Sequence, residues 1–203
     1  MTEVVPPPSA RERHKEDVRT RILDSLIALL GEGIDINHDR VAERTGVARR
    51  TVYRYFPDHD ALMQPLWDRV VNLAGGAAVR FPDSEAELTS SMLSIYEGFD
   101  RIAGLATIVR ATPQGRAVRL AQKERRRAAY VSATADAVKA LPPEDRLLAT
   151  AMLQVLHTTP WLEMRDQWDM DGAQMATACR WAVETLLKDL RARGAKPLSE
   201  GPA

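Results

Sequence analysis

A small residue at Ala42, a glycine at Gly46 and an apolar residue at Val52 punctuate positions 37–62, NHDRVAERTGVARRTVYRYFPDHDAL. Each has a physical reason. Ala42 lets two short helices approach closely, Gly46 supplies the left-handed turn between them, and Val52 plugs the second helix into a core. This spacing is that of a helix-turn-helix, whose second helix lies in the major groove of DNA. That helix starts near Ala48 and presents Arg49, Arg50, Tyr53, Arg54 and Tyr55. Arg49 and Arg50 open it, where recognition helices meet base edges; an arginine fork can donate two hydrogen bonds to a guanine, worth about 1–3 kcal/mol of discrimination.

Charge supports this reading only locally. The 203-residue chain has a formal net charge of zero, yet positions 40–55 hold five arginines and a single acid, Glu43. A lone cysteine, Cys179, excludes an internal disulfide and a cysteine-based zinc site. No metal or cofactor is expected. No apolar run reaches the roughly 20 residues that span a bilayer, and the N-terminus lacks a hydrophobic signal core, so a cytoplasmic protein with no membrane partner is expected. The histidines, 14, 38, 59 and 157, are scattered. With no phosphate-cradling loop or nucleophile elbow, an enzyme is not expected.

Hydrophobic periodicity predicts an all-α chain of about nine helices and no strands. Residues 1–13 read as a flexible arm, since Pro6, Pro7 and Pro8 forbid helix. Val18, Ile22, Leu26, Leu29 and Leu30 mark a first helix over about 16–30, and Asn37 caps the next. After the arginine-bearing helix, Asp58 caps a helix over about 59–78 that contains Pro65. Leu88, Met92, Ile95, Tyr96 and Phe99 stripe another, and Leu105, Ile108 and Val109 a shorter one. A long helix over about 114–140 is expected to turn Ala117, Leu120, Ala121, Ala128, Val131 and Ala135 inward. Its Arg116, Arg119, Lys123, Arg125, Arg126 and Arg127 read as a solvated face. Pro143 primes a helix interrupted at Pro160, and Asp171 with Gln174 starts the last, 172–193, in a capping box. The domains expected are a helix-turn-helix DNA-binding unit at 14–58, an effector-binding and dimerisation body at 59–194, and a flexible tail at 195–203.

The run TGVARRTVYRYFPDHDALM resembles the DNA-binding domain of the TetR (tetracycline-repressor) family of bacterial regulators, through Ala42, Gly46, Val47, Thr51, Val52, Tyr53, Tyr55, Phe56, Ala61 and Leu62. The resemblance implies a three-helix N-terminal DNA-binding unit and a helical body that binds a ligand and dimerises. It places Arg49, Arg50 and Thr51 at base-facing positions, Tyr53 and Tyr55 at phosphates, and His38 and Asp39 where family members touch DNA. For Tyr53, core packing stays equally open, and Asp39 reads better as a helix-start acid. Two residues depart from the family pattern. Ala48 stands where a capping serine is common, and His59 where a phosphate-gripping lysine is common.

Specific operator binding requires a dimer spanning about 34–36 Å, one DNA turn. The last two helices offer the faces for a homodimer, with Leu147, Leu148, Ala151, Met152, Val155 and Thr159 on one. Ala173, Ala176, Ala178, Trp181, Ala182, Leu186 and Leu190 lie on the other, and some of both sets must serve the monomer's own core. By resemblance the body encloses a small-molecule effector, for which Trp67, Met92, Tyr96, Phe99, Arg110, Gln154, His157, Trp161 and Met164 are the candidate lining. Their composition points to a hydrophobic or aromatic ligand, with Arg110 or His157 as polar anchor. The function expected is an effector-responsive regulator, a repressor that binds a palindromic double-stranded operator. The alternative is a similar DNA-binding regulator without a ligand, controlled by a protein partner.

Overall fold

Ser9 caps the first helix. Its Oγ accepts from Glu12 N at 3.3 Å while Glu12 Oε2 accepts from Ser9 N at 2.7 Å, a reciprocal cap that satisfies two otherwise orphaned donors. Helix α1, Ala10–Gly31, therefore starts earlier than the apolar stripe alone suggests. The computed structural model describes residues 9–201, so the expected proline arm up to residue 8 lies outside the described residues, and 10–13 are helical. The described residues form α-helices and a single 3-10 turn, with no strand.

Helices α2 (His38–Thr45) and α3 (Arg49–Tyr55) follow, then α4 (His59–Ala74), which runs through Pro65. Gly75 and Gly76, both at positive φ, end α4 before the predicted boundary and lead into the 3-10 turn Gly76–Val79. Next come α5 (Glu85–Ser90), α6 (Met92–Arg101), α7 (Ala103–Ala111), α8 (Pro113–Leu120), α9 (Lys123–Val138), α10 (Pro143–Thr158), α11 (Trp161–Trp168) and α12 (Gly172–Arg193). The described residues thus hold twelve α-helices where about nine were expected. Three predicted helices are each divided in two, at Ser91, at Ala121–Gln122 and at Thr159–Pro160. The capping box at Asp171 and Gln174 forms as read, with Gln174 N on Asp171 Oδ1 at 2.8 Å.

Two apolar clusters organise the chain. The first joins Val18, Ile22, Leu26, Val41, Val52 and Phe56 of the N-terminal helices to Leu62, Met63, Leu66 and Val70 of α4, and extends to Val109 and Val118 of α7 and α8. The second fills the body, with Leu88, Met92, Tyr96, Tyr130, Leu153, Trp161, Val183 and Leu187. There α12 packs along α6, α9 and α10. Gly172 permits a close crossing of α12 on α6, because a Cβ there would lie 2.7 Å from Glu97 N and 2.8 Å from Asp100 Oδ2. Asp100 then ties three helices, accepting from Trp161 Nε1 at 2.8 Å and from Gly172 N at 2.6 Å.

The stripe expected inward on 114–140 faces the wrong way. Ala117, Leu120, Ala121, Ala128, Val131 and Ala135 are all exposed. The break at Ala121–Gln122 resets the register, and Val118, Gln122, Tyr130, Ala133, Thr134, Ala137 and Val138 are buried instead. Thr134 on that face is satisfied in place: its Oγ1 donates to Tyr130 O and lies 2.8 Å from Thr150 Oγ1. The segment after α12 is also not free. Leu198 packs on the body, its N–H donates to Asp145 Oδ2 at 2.8 Å, and Arg193 Nη1 donates to Pro197 O.

Candidate nucleic-acid interface and inner cavity

Local chemistry builds the helix-turn-helix as its spacing demands. Asn37 Oδ1 accepts from Arg40 N at 3.0 Å to start α2. Gly46 ends it at φ 68°, and Val52 of α3 is fully buried. The scaffold is pinned from α1: Arg21 Nη2 donates to Thr45 O at 2.6 Å, and Arg44 grips Glu32 through two 2.6 Å hydrogen bonds. Arg44 is thereby a structural cation, and its ion pair holds the Glu32 carboxyl below the usual carboxylate range. Of the remaining arginines in the motif, Arg40 pairs with Glu43.

On α3, Arg49, Arg50, Tyr53 and Arg54 are exposed and Thr51 and Tyr55 half-buried. Arg49 Nε lies 2.7 Å from Oδ1 of Asp39, an acid in the first turn of α2. The Arg49 guanidinium also reaches over the Tyr53 ring, 5.6 Å from its centroid, and Arg54 lies over Tyr55 at 5.4 Å. Arg50 has neither an acid nor a ring contact among the described residues. It is the motif's unencumbered guanidinium.

His38 does not face solvent as a DNA-contacting residue would. It is buried, its Nε2 donates to Phe56 O at 2.7 Å, and its ring stacks flat on Tyr53 with centroids 4.0 Å apart. Its place is therefore beneath Tyr53, whose ring is backed by His38 while the residue stays 39 % exposed. Ala48 offers α3 no side-chain cap. His59 is exposed at the start of α4, with Nδ1 3.9 Å from Asp60 Oδ1.

Behind the motif, α4 carries Trp67, Val70, Val71 and Ala74 along the wall of a cavity of about 110 Å³. Helices α6, α7 and α10 complete it with Ile95, Phe99, Val109, Arg110, Gln154 and Thr158. Arg119 of α8 and Arg126 of α9 also line it, so these two do not belong to the solvated face expected of them. Among the candidate ligand residues, the cavity gathers Trp67, Phe99, Arg110 and Gln154. Met92, Tyr96, His157 and Trp161 are instead sealed in the body core, and Met164 is half-buried beside Cys179. Their polar atoms are already engaged: Tyr96 OH donates to Leu156 O at 2.8 Å, and Trp161 Nε1 to Asp100. His157 lies between Tyr130 OH at 2.6 Å from Nδ1 and Ser91 Oγ at 2.9 Å from Nε2. Burial drives its pKa down to about 4.

The faces left uncovered in the body are equally specific. On α10, Leu147, Leu148, Ala151, Met152 and Val155 are exposed, Leu148 at 60 % and Met152 at 52 %. On α12, Trp181 is 72 % exposed and Ala173 is exposed, whereas Ala176 and Leu190 belong to the monomer's core. No helix among the described residues is long and apolar enough to cross a membrane.

Residues 8–59 match the family described as the helix-turn-helix domain of resolvase. No curated protein matches the chain. The chain carries an N-terminal helix-turn-helix DNA-binding domain.

Proposed function

We propose that the chain is an effector-responsive transcriptional regulator of the TetR type, a repressor that binds a palindromic operator as a homodimer and releases it on binding a small apolar or aromatic ligand. The observation that carries this reading is the double duty of α4. Its Leu62, Met63 and Leu66 lie in the core beneath the DNA-binding motif, while its Trp67, Val71 and Ala74 line the cavity. A ligand that moves this helix moves the head with it. The cavity favours this reading over control by a protein partner alone, which would suit a solid core.

Base reading is assigned to Arg49, Arg50 and Thr51, and phosphate contact to Tyr53, Arg54, Tyr55 and His59. His38 acts through Tyr53, by backing its ring. Pairing of two subunits is assigned to the apolar faces of α10 and α12, which stack into a four-helix bundle across a twofold axis. Catalysis and a membrane partner form no part of this reading, and a cytoplasmic setting goes with it.

Selection of bound duplexes from random sequence, followed by fluorescence anisotropy on the winning sequence, tests the core of the proposal. A palindromic site is expected. Arg50→Ala should weaken binding about 10-fold or more and lower the slope of log affinity against log salt by about one if Arg50 touches phosphate, or relax base preference if it reads a guanine. Unchanged affinity, slope and preference would remove Arg50 from the interface.

A further inference from the structure

Three guanidiniums face the inner cavity, and no carboxylate pairs with any of them among the described residues. Among the described residues, Arg110, Arg119 and Arg126 each make one hydrogen bond, and each goes to a backbone carbonyl. Arg110 Nη2 donates to Thr158 O at 2.6 Å, Arg119 Nε to Val109 O at 3.0 Å, and Arg126 Nη2 to Arg119 O at 3.2 Å. Carbonyls orient these side chains without neutralising them. Arg80 also lines the cavity, but it is paired with Asp83 and Glu87, at 3.3 and 2.9 Å.

Each guanidinium carries five donors in a planar fork, so most of the donor capacity of the three is unspent. Charge removed from water without a counter-charge is costly. Burial, with the neighbouring Arg119 and Arg126 charges, lowers the Arg110 pKa to about 10. Burial likewise lowers those of Arg119 and Arg126. The same cavity is aromatic on its other side. Arg110 lies 4.4 Å from the Phe99 centroid, and Arg126 lies 5.6 and 5.3 Å from those of Trp67 and Phe81.

We propose that the cavity takes a compact amphipathic carboxylate, held at its charged end by Arg110, Arg119 and Arg126 and along its apolar body by Trp67, Ile95 and Phe99. This rests on the effector-responsive reading and narrows it from an apolar ligand to an apolar acid. A cavity of about 110 Å³ limits the apolar body to one ring at most, since a cavity of about 150 Å³ admits benzene. A carboxylate matches the planar fork of a guanidinium with two parallel hydrogen bonds. The anion would draw together cations that repel one another while the site is empty. Its grip would fall on α7, α8 and α9, of which α7 and α8 contribute Val109 and Val118 to the core shared with the head.

The test uses the full chain and calorimetric titration with benzoate, phenylacetate and hexanoate against their uncharged counterparts benzamide, 2-phenylethanol and hexanol. At least one acid should bind, and its uncharged counterpart should bind about 10- to 100-fold more weakly, as expected for loss of hydrogen bonds to a charged group. Arg126→Gln, at a half-exposed position, should weaken the acid by a similar factor and leave the melting temperature of the free protein within a few degrees. Arg110→Lys, which keeps the charge and loses the fork, is a second variant should Arg126→Gln fail to fold. Equal binding of acid and uncharged counterpart, binding of none of the acids, or acid affinity unmoved by a folded variant would each overturn the proposal. Operator affinity is measured separately, with and without the bound acid. An acid that binds without changing operator affinity upholds the site and removes the effector-responsive reading instead.

Discussion

Acidification should destabilise this protein through His157 before most carboxylates begin to titrate. The ring is fully buried and its neutral tautomer is dictated by its neighbours. Ser91 Oγ donates to Glu87 O, so it accepts from Nε2–H, and Nδ1 is left to accept from Tyr130 O–H. Adding a proton puts a hydrogen on Nδ1, which takes the acceptor away from Tyr130 and places a charge in the body core. The folded pKa, pushed by burial to about 4, thus lies below the ordinary 6.5. Between these values the unfolded chain binds more protons than the folded one, and stability falls as pH falls. The stabilisation is complete above about pH 6.5 and is lost on the way down to pH 4. Linkage gives a loss of about 2 kcal/mol from pH 7 to 5, and about 3 kcal/mol by pH 4. Urea unfolding followed by far-ultraviolet circular dichroism measures this at each pH. His157→Gln serves as the control, because an amide stays neutral and can still donate and accept. The wild-type stability minus that of the variant should decline with falling pH by the stated amounts. A difference that stays flat from pH 7 to 5 would refute both the tautomer assignment and the cost ascribed to burying the charge.

Two further substitutions probe the head and the body. Ala48→Ser should stabilise the chain by about 1 kcal/mol in the same unfolding assay, by supplying the side-chain cap that α3 lacks; no gain would mean that the backbone at Ala48 cannot present the hydroxyl to the first turn. Leu148→Glu combined with Met152→Glu places charge on a face already exposed in one subunit. It should yield a folded monomer by sedimentation with reduced operator affinity, whereas an undisturbed dimer would move the interface elsewhere.

What the amino-acid order disclosed was mostly local. Caps at Asn37, Asp58 and Asp171, the left-handed turn at Gly46 and the burial of Val52 depend on neighbours within a few residues, and all form as read. The earlier start of α1 was also written locally, in Ser9 and Glu12, but the prolines just before it masked the signal. Tertiary choices were not legible. Neither proline nor glycine marks the breaks at Ser91 or at Ala121–Gln122, and the second break moved the inner face of α9 onto Gln122, Tyr130 and Thr134. An apolar stripe was the wrong guide where the buried face mixes Ala133, Ala137 and Val138 with the polar Gln122, Tyr130 and Thr134. The same misreading hid Arg119 and Arg126. A signal did exist, in their seven-residue spacing and in Tyr130 and Thr134 continuing that face at intervals of four. His38 was misjudged because a histidine at a helix start gives no hint that its ring will serve a carbonyl eighteen residues on.

The sharing of α4 between the core beneath the motif and the cavity wall has a practical consequence for anyone transplanting this helix-turn-helix. A cut at Pro57–Asp58, the loop that looks like a domain boundary, would strip Leu62, Met63, Leu66 and Val70 from the motif they cover. A transplanted reading head should therefore travel with the whole of α4. It should also arrive opposite a host surface able to replace Val109 and Val118, or the graft will melt before it meets DNA.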